Sequence, residues 1–600
     1  MRFPTLAETY QYRDITTVFG GYNHQISCQE GQFYDMKNMS SNYFPILSPR
    51  NNRGIVKKFT NPQGILDKED LWWVDDKVLY RNGNPITLKG VELTEDAPKT
   101  MAKMGAFIII MPDKVWINAN DKESKYECGY MENKHEIKGV SINICEASGK
   151  VINYKEADYY EKHPEELKDG VYIMSVNSNG NPSLKVYSAT TGIWMSVAST
   201  YVQICGQGIG KGFEKEDGVK ITVDDVSEEG LDNIFINKED DGIHHSTNTY
   251  IMDRTDDAIT IPGIFKGSKI LFENLTVKVE RKVPEMSYIT ECNNRLWGCS
   301  TDGHEIYCCK LGDVKNWNLF RGSSIDSWAA TIGSDGKFTG AITYLGYPMF
   351  FKEDGFVKIS VSTTGGHQTK ETRCRGVQSG SDRSLTVLNE VLYYKSSSGV
   401  CGYNGSLPYG ISEEMGEVKY YDAVAGASGD KYYISMRDSK GEYSLFAYDP
   451  KNGLWCKEDD TNALLFCKHK DDLYYIDAKD NTMKSIGGSL LFDVEEKGIE
   501  ENVKWFAESG PIGYSSPDNK YVGRITLRIT MESGTNVDLF IQYDSVGEWE
   551  HKYNMSGQGT RTYSIPLIPK RCDHFRYKIS GNGACKIHSI TKTLEEGSEG

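Results

Sequence analysis

The 600-residue chain is longer than one hydrophobic core can organise, because single cores stop growing at roughly 250–300 residues. Its formal charge of −16 argues against a protein whose main task is to grip nucleic-acid phosphates. With 37 tyrosines and 59 glycines, the composition is typical of an all-β protein with many turns, built from several domains or from one repeat architecture with added modules.

The apolar segments and the cysteines of the chain indicate neither export nor insertion into a membrane. The opening residues MRFPTLAETY have no apolar core, so we expect no secretory leader, and the longest apolar run, residues 105–112, is too short to span a bilayer. The 14 cysteines are scattered without a CxxC pair. This pattern predicts reduced, buried thiols, synthesis in a cytoplasm and no membrane insertion.

One unit recurs along the chain: an apolar-aromatic strand, a polar turn containing Gly, Asp or Asn, and a second strand. It occupies residues 71–84, 105–121, 293–313, 347–360, 390–406, 431–449 and 472–486. From residue 293 onward the spacing is about forty to fifty residues, which fits four short antiparallel strands per unit. Such units must stack to bury their faces, and radial stacking predicts a β-propeller of about seven blades. An open array of β-sandwiches is the structural alternative.

Two regions break this rhythm and complete the predicted domain organisation. We expect an N-terminal arm at 1–54, the first blades at 55–119, an inserted β domain at 120–284, the remaining blades at 285–489 and a C-terminal β-sandwich at 490–600. The whole chain is therefore predicted to be all-β.

The inserted domain contains an echo of the propeller repeat. Residues 172–194 align without a gap on residues 433–455, and both stretches end in Gly-x-Trp. The insert is therefore expected to hold a blade-like hairpin, which leaves the blade count uncertain by one.

Motifs that could carry chemistry are incomplete. The loop GQGIGKG at 206–212 lacks the first Gly and the final Ser or Thr of a P-loop, and NKEDDG at 237–242 lacks the twelfth-position Glu of a calcium loop. STDGHEIY at 300–307 departs from the sialidase Asp box, and CDH at 572–574 places Cys and His too close in sequence to act together. We predict no catalytic residues, no metal and no cofactor.

The N-terminal stretch 19–54, with its aromatic, Asn-rich "KNMSSNYFPILSPRNNRG", resembles the arm of β-propeller virion proteins of tailed bacteriophages. The motif NRLWG at 294–298, followed by LGD at 311–313 and Trp317, is similar to that family, as are the C-terminal stretches 505–529 and 571–593. Members are labelled packaged-DNA stabilisation proteins, and related propellers form the hub or nozzle of short tails. The two C-terminal stretches resemble the terminal module of such proteins from phages of gut Firmicutes. The resemblance extends over nearly the whole chain. Its motifs are structural, so they indicate a family and its fold but do not identify a functional site.

The resemblance implies a non-enzymatic virion component at the head–tail connection or in a short tail. It would form a homo-oligomeric ring, bind portal, adaptor or other tail proteins, and help to retain packaged DNA and guide its passage. The acidic charge would let DNA pass without sticking. The arm is expected to pair with an outer propeller strand and so close the fold, with Arg50 and Arg53 at the corner into the first blade; an arm that crosses to a neighbouring subunit is the alternative.

A carbohydrate-binding adhesin or receptor-binding tail protein is the alternative function. Its candidate glycan-stacking residues are Trp549, Trp455 and Trp194, each at the end of a hairpin motif where a large side chain also packs well. A glycosidase ranks third, because the chain lacks Asp boxes.

Overall fold

A computed structural model describes residues 11–95, 97–120, 126–178, 180–227, 230–267, 270–364, 366–490, 498–501, 503–513 and 518–596. The fold is nearly all-β, as predicted. Within these ranges the helical segments are α1 (Tyr159–Lys162) and three 3₁₀ turns, Pro164–Glu166, Asp382–Ser384 and Glu413–Met415. None of these is long and apolar enough to cross a membrane. All 14 cysteines are free thiols, and ten of them are buried.

The chain begins with short strands that belong to distant parts of the molecule. They are β1 (Gln11–Thr16), β2 (Phe33–Lys37), β3 (Met39–Ser40), β4 (Ser48–Pro49) and β5 (Gly54–Lys58).

Two four-stranded antiparallel sheets follow. The first comprises β6 (Pro62–Lys68), β7 (Asp70–Asp75), β8 (Val78–Arg81) and β9 (Asn84–Ile86); the second comprises β10 (Thr100–Met104), β11 (Phe107–Met111), β12 (Val115–Asn118) and β13 (Cys128–Tyr130). Strand β13 completes the second sheet although it lies in the stretch predicted as the insert.

The inserted region then forms two sheets. Its strands are β14 (Asn133–Cys145), β15 (Tyr154–Glu156), β16 (Tyr172–Val176), β17 (Pro182–Ser188), β18 (Ile193–Ser196), β19 (Tyr201–Cys205), β20 (Gly218–Val223), β21 (Asn237–Lys238), β22 (His245–Tyr250), β23 (Asp253–Thr255), β24 (Ala258–Pro262) and β25 (Leu271–Arg281). Eight of them make one sheet in the order β21-β22-β20-β25-β14-β19-β24-β23 around its own apolar core.

The other inserted sheet, β15–β18, contains the predicted echo. Strands β16, β17 and β18 form an antiparallel meander like that of the later segment, but β15 pairs with β16 in parallel. The similarity between residues 172–194 and 433–455 is therefore limited to the three-stranded meander. Along the chain, this sheet lies within the insert, between β14 and β19.

After the insert the four-stranded rhythm resumes. The strands are β26 (Met286–Cys292), β27 (Arg295–Ser300), β28 (Glu305–Cys308), β29 (Trp328–Thr331), β30 (Gly340–Tyr344), β31 (Tyr347–Lys352), β32 (Gly355–Ser360), β33 (Gln368–Arg373), β34 (Thr386–Leu388), β35 (Val391–Ser396), β36 (Gly399–Tyr403), β37 (Tyr409–Gly410), β38 (Tyr420–Ser428), β39 (Lys431–Asp438), β40 (Tyr443–Asp449), β41 (Leu454–Asp459), β42 (Ala463–His469), β43 (Asp472–Asp477), β44 (Thr482–Ser485) and β45 (Gly498–Ile499).

These strands form sheets β26–β29, β30–β33, β34–β37 and β38–β41, and a last sheet in the order β42-β43-β44-β5-β45. Strand β5, from the start of the chain, therefore completes the last sheet of the series. Residues Arg50 and Arg53 lead into this closing strand, whereas the sequence predicted a corner into the first blade.

The repeated unit of the sequence corresponds to the second and third strands of each sheet. Second strands such as β7 and β31 are almost continuously apolar because sheets pack against both of their faces. In the described chain, each successive pair of these sheets shares an apolar cluster, and the last pair joins Tyr474 and Ile476 to Leu71 and Trp73 of the first sheet. The series is propeller-like and closes on itself.

The C-terminal strands form a sandwich with the start of the chain. They are β46 (Lys504–Ser509), β47 (Lys520–Met531), β48 (Asn536–Tyr543), β49 (Glu550–Ser556), β50 (Gly559–Pro566), β51 (Arg571–Cys572), β52 (Phe575–Asn582) and β53 (Cys585–Glu596). One sheet has the order β1-β53-β47-β50, with β51 on β47, and the other has the order β2-β46-β52-β48-β49.

The N-terminal arm contributes one edge strand to each of these two sheets. Strand β1 pairs with β53 and β2 pairs with β46, so the arm is a structural part of the sandwich. The fully buried Lys592 of β53 pairs with Asp14 of β1 at 2.8 Å and with Glu30.

Between these strands the arm runs along β41. The Tyr22 N–H donates to the Trp455 carbonyl at 2.6 Å, and a Cβ at Gly21 would lie 2.3 Å from the same oxygen. Gly21 also has a φ of +77°, which L side chains rarely adopt. Both the backbone conformation and the close contact with the carbonyl oxygen therefore require glycine at this position. The predicted contact with an outer strand of the repeat thus occurs, in addition to pairing within the sandwich.

A cluster of charged groups, here called the arm junction, joins these parts: Arg50, Arg53, Glu458, Asp459 and Glu500. Arg53 is buried, donates a hydrogen bond to Glu458 at 2.7 Å and forms an ion pair with Asp459 at 2.6 Å. Arg50 pairs with Glu500 at 2.7 Å. The junction therefore connects the arm, sheet β38–β41 and the segment leading to the sandwich.

The electrostatic environment of the arm junction favours the charged carboxylate form of Asp459. Burial opposes ionisation of Asp459, but the guanidinium groups of Arg53 and Arg50 outweigh it and lower the pKa of Asp459 to about 2. The same environment raises the pKa of Arg53, because its acidic partners outweigh the effect of burial.

Replacing Arg53 with Ala should destabilise the protein by about 3–5 kcal/mol, because it leaves the buried Glu458 without its cation and Asp459 with Arg50 alone. Thermal or urea unfolding would measure the loss. Arg437→Ala is the control: Arg437 pairs with Asp422 at 2.6 Å, but the two side chains are 38% and 46% exposed. That variant should lose far less stability, because solvent screens the exposed pair, and equal losses from both variants would contradict the role of the junction.

The lowered pKa of Asp459 predicts a stability that depends on acidity. A carboxyl whose folded-state pKa lies below its ordinary 3.8 stabilises the fold above that value, and the contribution disappears as the pH falls toward about 2. The melting temperature of the parent should therefore fall more steeply over this window than that of Asp459→Asn. Parallel curves for the two proteins would show that Asp459 does not titrate as described.

Candidate functional site

The outer face of the sandwich sheet β2-β46-β52-β48-β49 carries the most developed candidate site. Alternate residues of these antiparallel strands face away from the core, because side chains on a strand point to opposite sides. Lys37, Phe506, Ser580, Asp538 and Asn554 are paired neighbours in one row across the five strands.

Two further rows flank this one. On one side Lys504 pairs with Asn582, which pairs with Asn536. On the other side Lys578 lies between Glu508 and Phe540. The strand register therefore brings lysines, amides and aromatic rings together on one surface.

The face forms a groove of about 850 Å³, here called the sandwich groove. It is lined by Lys37, Lys504, Trp505, Phe506, Asn536, Asp538, Phe540, Trp549, Asn554, Lys578, Ser580, Gly581 and Asn582. A few polar groups among aromatic rings are what a small-molecule or sugar site requires.

Trp549 stands in the loop between β48 and β49 and overhangs the face. The Arg576 guanidinium lies 5.4 Å from the Trp549 ring centroid, and Lys578 Nζ lies 5.8 Å from it. Lys578 Nζ is also 4.4 Å from the Phe506 ring and 2.8 Å from Glu508. Lys578 thus lies between two half-buried aromatic rings and is neutralised by a carboxylate.

Asp538 is the fixed acceptor of the groove. Its Oδ1 lies 2.9 Å from His551 Nε2 and accepts a hydrogen bond from the Asn554 amide at 2.9 Å. Two neighbours on β49 therefore orient the carboxylate, which keeps its second oxygen for a ligand.

The three predicted stacking tryptophans have different environments. Trp455 is fully buried, and its indole N–H donates to the Ile411 carbonyl at 2.5 Å, so it is a core residue and not a stacking platform. Trp194 is half-buried against Tyr160 and Tyr187, with ring centroids 5.7 and 5.2 Å away. Trp549 alone of the three lies in the sandwich groove.

Apart from Trp549, sequence reasoning missed the residues that line the groove, among them Phe506, Phe540 and Lys578. Each of these three occupies an outward position on a strand whose inward positions are apolar. Aromatic residues at positions where alternation calls for polar ones are the signal that marks such a face.

The incomplete motifs of the sequence serve local structure. In the loop at 206–212, a Cβ at Gly210 would lie 2.0 Å from the Thr255 carbonyl, so this glycine allows close backbone packing. In the turn at 237–242, Asp241 accepts hydrogen bonds from the Ile243 and His244 N–H groups, which lower its pKa to about 2. Both segments are tight turns of the insert.

The remaining motifs are structural as well. Asp302 caps the hairpin at 300–307 by accepting from Ser300 and the His304 N–H. Cys572 is buried and contacts the Lys520 carbonyl, whereas His574 faces Ser545 at 2.7 Å. The cysteine and the histidine do not form a nucleophile–base pair.

The NRLWG motif holds a loop that contacts the insert. Arg295 is buried and donates to the carbonyls of Cys309 at 2.8 Å and Asp326 at 2.6 Å. In the loop so held, Lys310 pairs with Glu216 of the insert at 2.7 Å. The motif therefore fixes the junction between the insert and sheet β26–β29.

Among the described residues, one group of side chains has the geometry to hold a metal: His163, Glu165 and Glu166. All three are exposed, and exposed acidic groups of this kind are common on protein surfaces. The group carries no assignment.

The chain matches no protein-family model, and a search of curated proteins found no match. Similar solved structures include an exo-β-1,3-galactanase from Phanerochaete chrysosporium, with 8% identity, a TM-score of 0.20 and coverage of 50% of this chain and 92% of that one. Another is a puromycin hydrolase, with 9% identity, a TM-score of 0.18 and coverage of 69% and 58%. Scores this low carry no argument about function.

The different environments of two candidate tryptophans give a direct test. Trp455→Ala should cost about 3–5 kcal/mol of unfolding free energy because it empties a packed core site. Trp549→Ala should cost about 1 kcal/mol or less, since the ring is half-exposed and loses mainly its contacts with Arg576 and Lys578. Urea unfolding of the two variants measures both values, and similar losses would show that Trp549 is also a core residue.

Proposed function

We propose that the protein is a structural, non-enzymatic component of a tailed-bacteriophage virion, at the head–tail connection or in a short tail. The motifs that mark the resemblance lie at the two ends of the chain and in the NRLWG region. One observation supports reading these segments together: the arm supplies an edge strand to each sheet of the sandwich formed by the C-terminal residues. The segments that resemble the family at each end therefore form one physical unit.

The finer architecture belongs to the same proposal. The sheets β6–β9, β10–β13, β26–β29, β30–β33, β34–β37, β38–β41 and the closing sheet with β5 are the seven blades of a propeller. The shared apolar clusters between neighbours support this count, as does closure of the last sheet by a strand from the start of the chain.

In this role the propeller is a rigid body, and the insert and the sandwich provide contacts to neighbouring subunits and to portal, adaptor or other tail proteins. Copies of the chain form a closed ring in the virion. The charge of −16 lets packaged DNA pass, with only transient contact, because like charges prevent adhesion. Retention and guidance of DNA need no catalysis by this chain.

Light scattering of the full-length protein, alone and with the portal and adaptor proteins of its virion, tests the proposal. The expected result is entry into a large ring-shaped complex of roughly six or twelve copies, as closed cyclic symmetry allows. The mixture with an unrelated acidic protein of similar mass is the control.

Two outcomes would contradict the proposal. If the protein stays monomeric and does not bind the portal or adaptor proteins, it is not part of the head–tail connection. Tight, salt-sensitive binding of duplex DNA by the isolated protein would contradict an acidic surface past which DNA moves freely.

A further inference from the structure

We infer that the sandwich groove binds an acidic polysaccharide, a chain of sugar or polyol units bearing carboxylate or phosphate groups. The inference concerns a binding site and does not depend on the virion role. It gives a specific ligand class to the alternative function predicted from the sequence, in which Trp549 stacks on a glycan.

The first support is the aromatic surface. Phe506 and Trp549 flank the aliphatic stem and ammonium of Lys578, and Phe540 lies beside it on the next strand. Aromatic faces carry partial negative charge, so they attract the slightly positive C–H groups on one face of a pyranose ring. Phe506 and Phe540 are held by sheet strands and Trp549 by the loop before β49, and all three rings are half-buried.

The second support is the set of hydrogen-bonding groups. Asn536, Asn554 and Asn582 offer amides that donate and accept, and Asp538 is oriented by His551 and Asn554. Sugar hydroxyls also donate and accept at once, so amides beside a fixed carboxylate match them well. The amides lie in two neighbouring rows of the sheet, as an extended ligand would require.

The third support is charge, which selects acidic over neutral sugars. Three lysines and one aspartate line the groove, in a chain whose net charge is −16. Lys578 is paired with Glu508, and Lys37 lies 3.6 Å from a largely exposed Asp460. Lys504 is exposed and forms no ion pair with any described residue, and it stands at the end of the row containing Asn582 and Asn536.

A single-stranded nucleic acid also stacks on aromatic rings, but the groove suits it poorly. Such ligands need a positively charged track along several phosphates. Here Lys37, Lys504 and Lys578 stand in three different rows of the sheet, with Asp538 in the middle row, so they do not form such a track. The observations therefore favour the sugar ligand.

The groove is a binding site without glycoside cleavage. Hydrolysis generally requires two carboxyl groups that flank the scissile bond. Asp538 is the single carboxylate among the residues that line the groove, and its Oδ1 is already held by two partners.

Calorimetric titration of the full-length protein tests the inference with four probes: an oligogalacturonate, a polyglycerol phosphate, a neutral maltooligosaccharide and an oligothymidylate. We expect binding of at least one of the two acidic polymers, weakened by salt, and clearly weaker binding of the neutral sugar. The two acidic probes distinguish a carboxylate ligand from a phosphate ligand.

Variants locate the site. Trp549→Ala, Phe506→Ala and Lys504→Gln should each weaken binding by about tenfold, the effect of losing one desolvated ring or charge contact. Trp194→Ala and Lys440→Gln are matched controls on other exposed surfaces and should leave the affinity unchanged. Unchanged melting temperatures would show that the groove variants remain folded.

Several results would overturn the inference. These are no binding of either acidic polymer, equal affinity for the neutral sugar, tighter binding of the oligothymidylate, or binding that survives all three groove substitutions. A failure here would leave the ring assembly measured by light scattering unaffected, so the two proposals can be judged separately.

Discussion

The fold depends on one buried electrostatic arrangement, the pairing of Arg53 with Glu458 and Asp459. Removing such charges from water is costly, and only good geometry with several hydrogen bonds offsets that cost. Arginine suits the position because its planar fork of donors reaches two carboxylates, Thr461 and Tyr475 at once. Since these partners belong to two neighbouring sheets, correct placement of the arm requires both sheets to be formed.

The apolar core continues the same connection. Phe19, Tyr22 and Phe33 of the arm belong to one buried cluster with residues of sheet β38–β41 and of both sandwich sheets. The sandwich is therefore not a separate body joined by a free linker, because its core and that of the propeller-like series are continuous at the arm. This explains why an aromatic-rich segment precedes the first regular sheet.

The sequence predicted the repeat well because second strands, buried on both faces, are recognisable from apolar runs alone. Strand β13 was misplaced because its three residues have no alternating pattern. The partners of β1 and β2 could not be predicted, since pairing with strands hundreds of residues away is set by tertiary packing. Trp455 and Trp194 occupy equivalent places in the sequence echo, yet only Trp455 is covered, by the arm. Of the groove, Trp549 was found, whereas Phe506 and Phe540 follow from a strand register that the sequence does not specify.

Pairing of β1 with β53 also has a consequence for how the chain is made. The paired strands begin 574 residues apart, at Gln11 and Cys585. At a synthesis rate of about 5–20 residues per second, the arm waits roughly half a minute to two minutes for its partner. During that time Phe19, Phe33 and Met36, which end fully covered, are exposed on the nascent chain. The newly made arm therefore carries uncovered apolar surface until β53 has been synthesised and the sandwich can be completed.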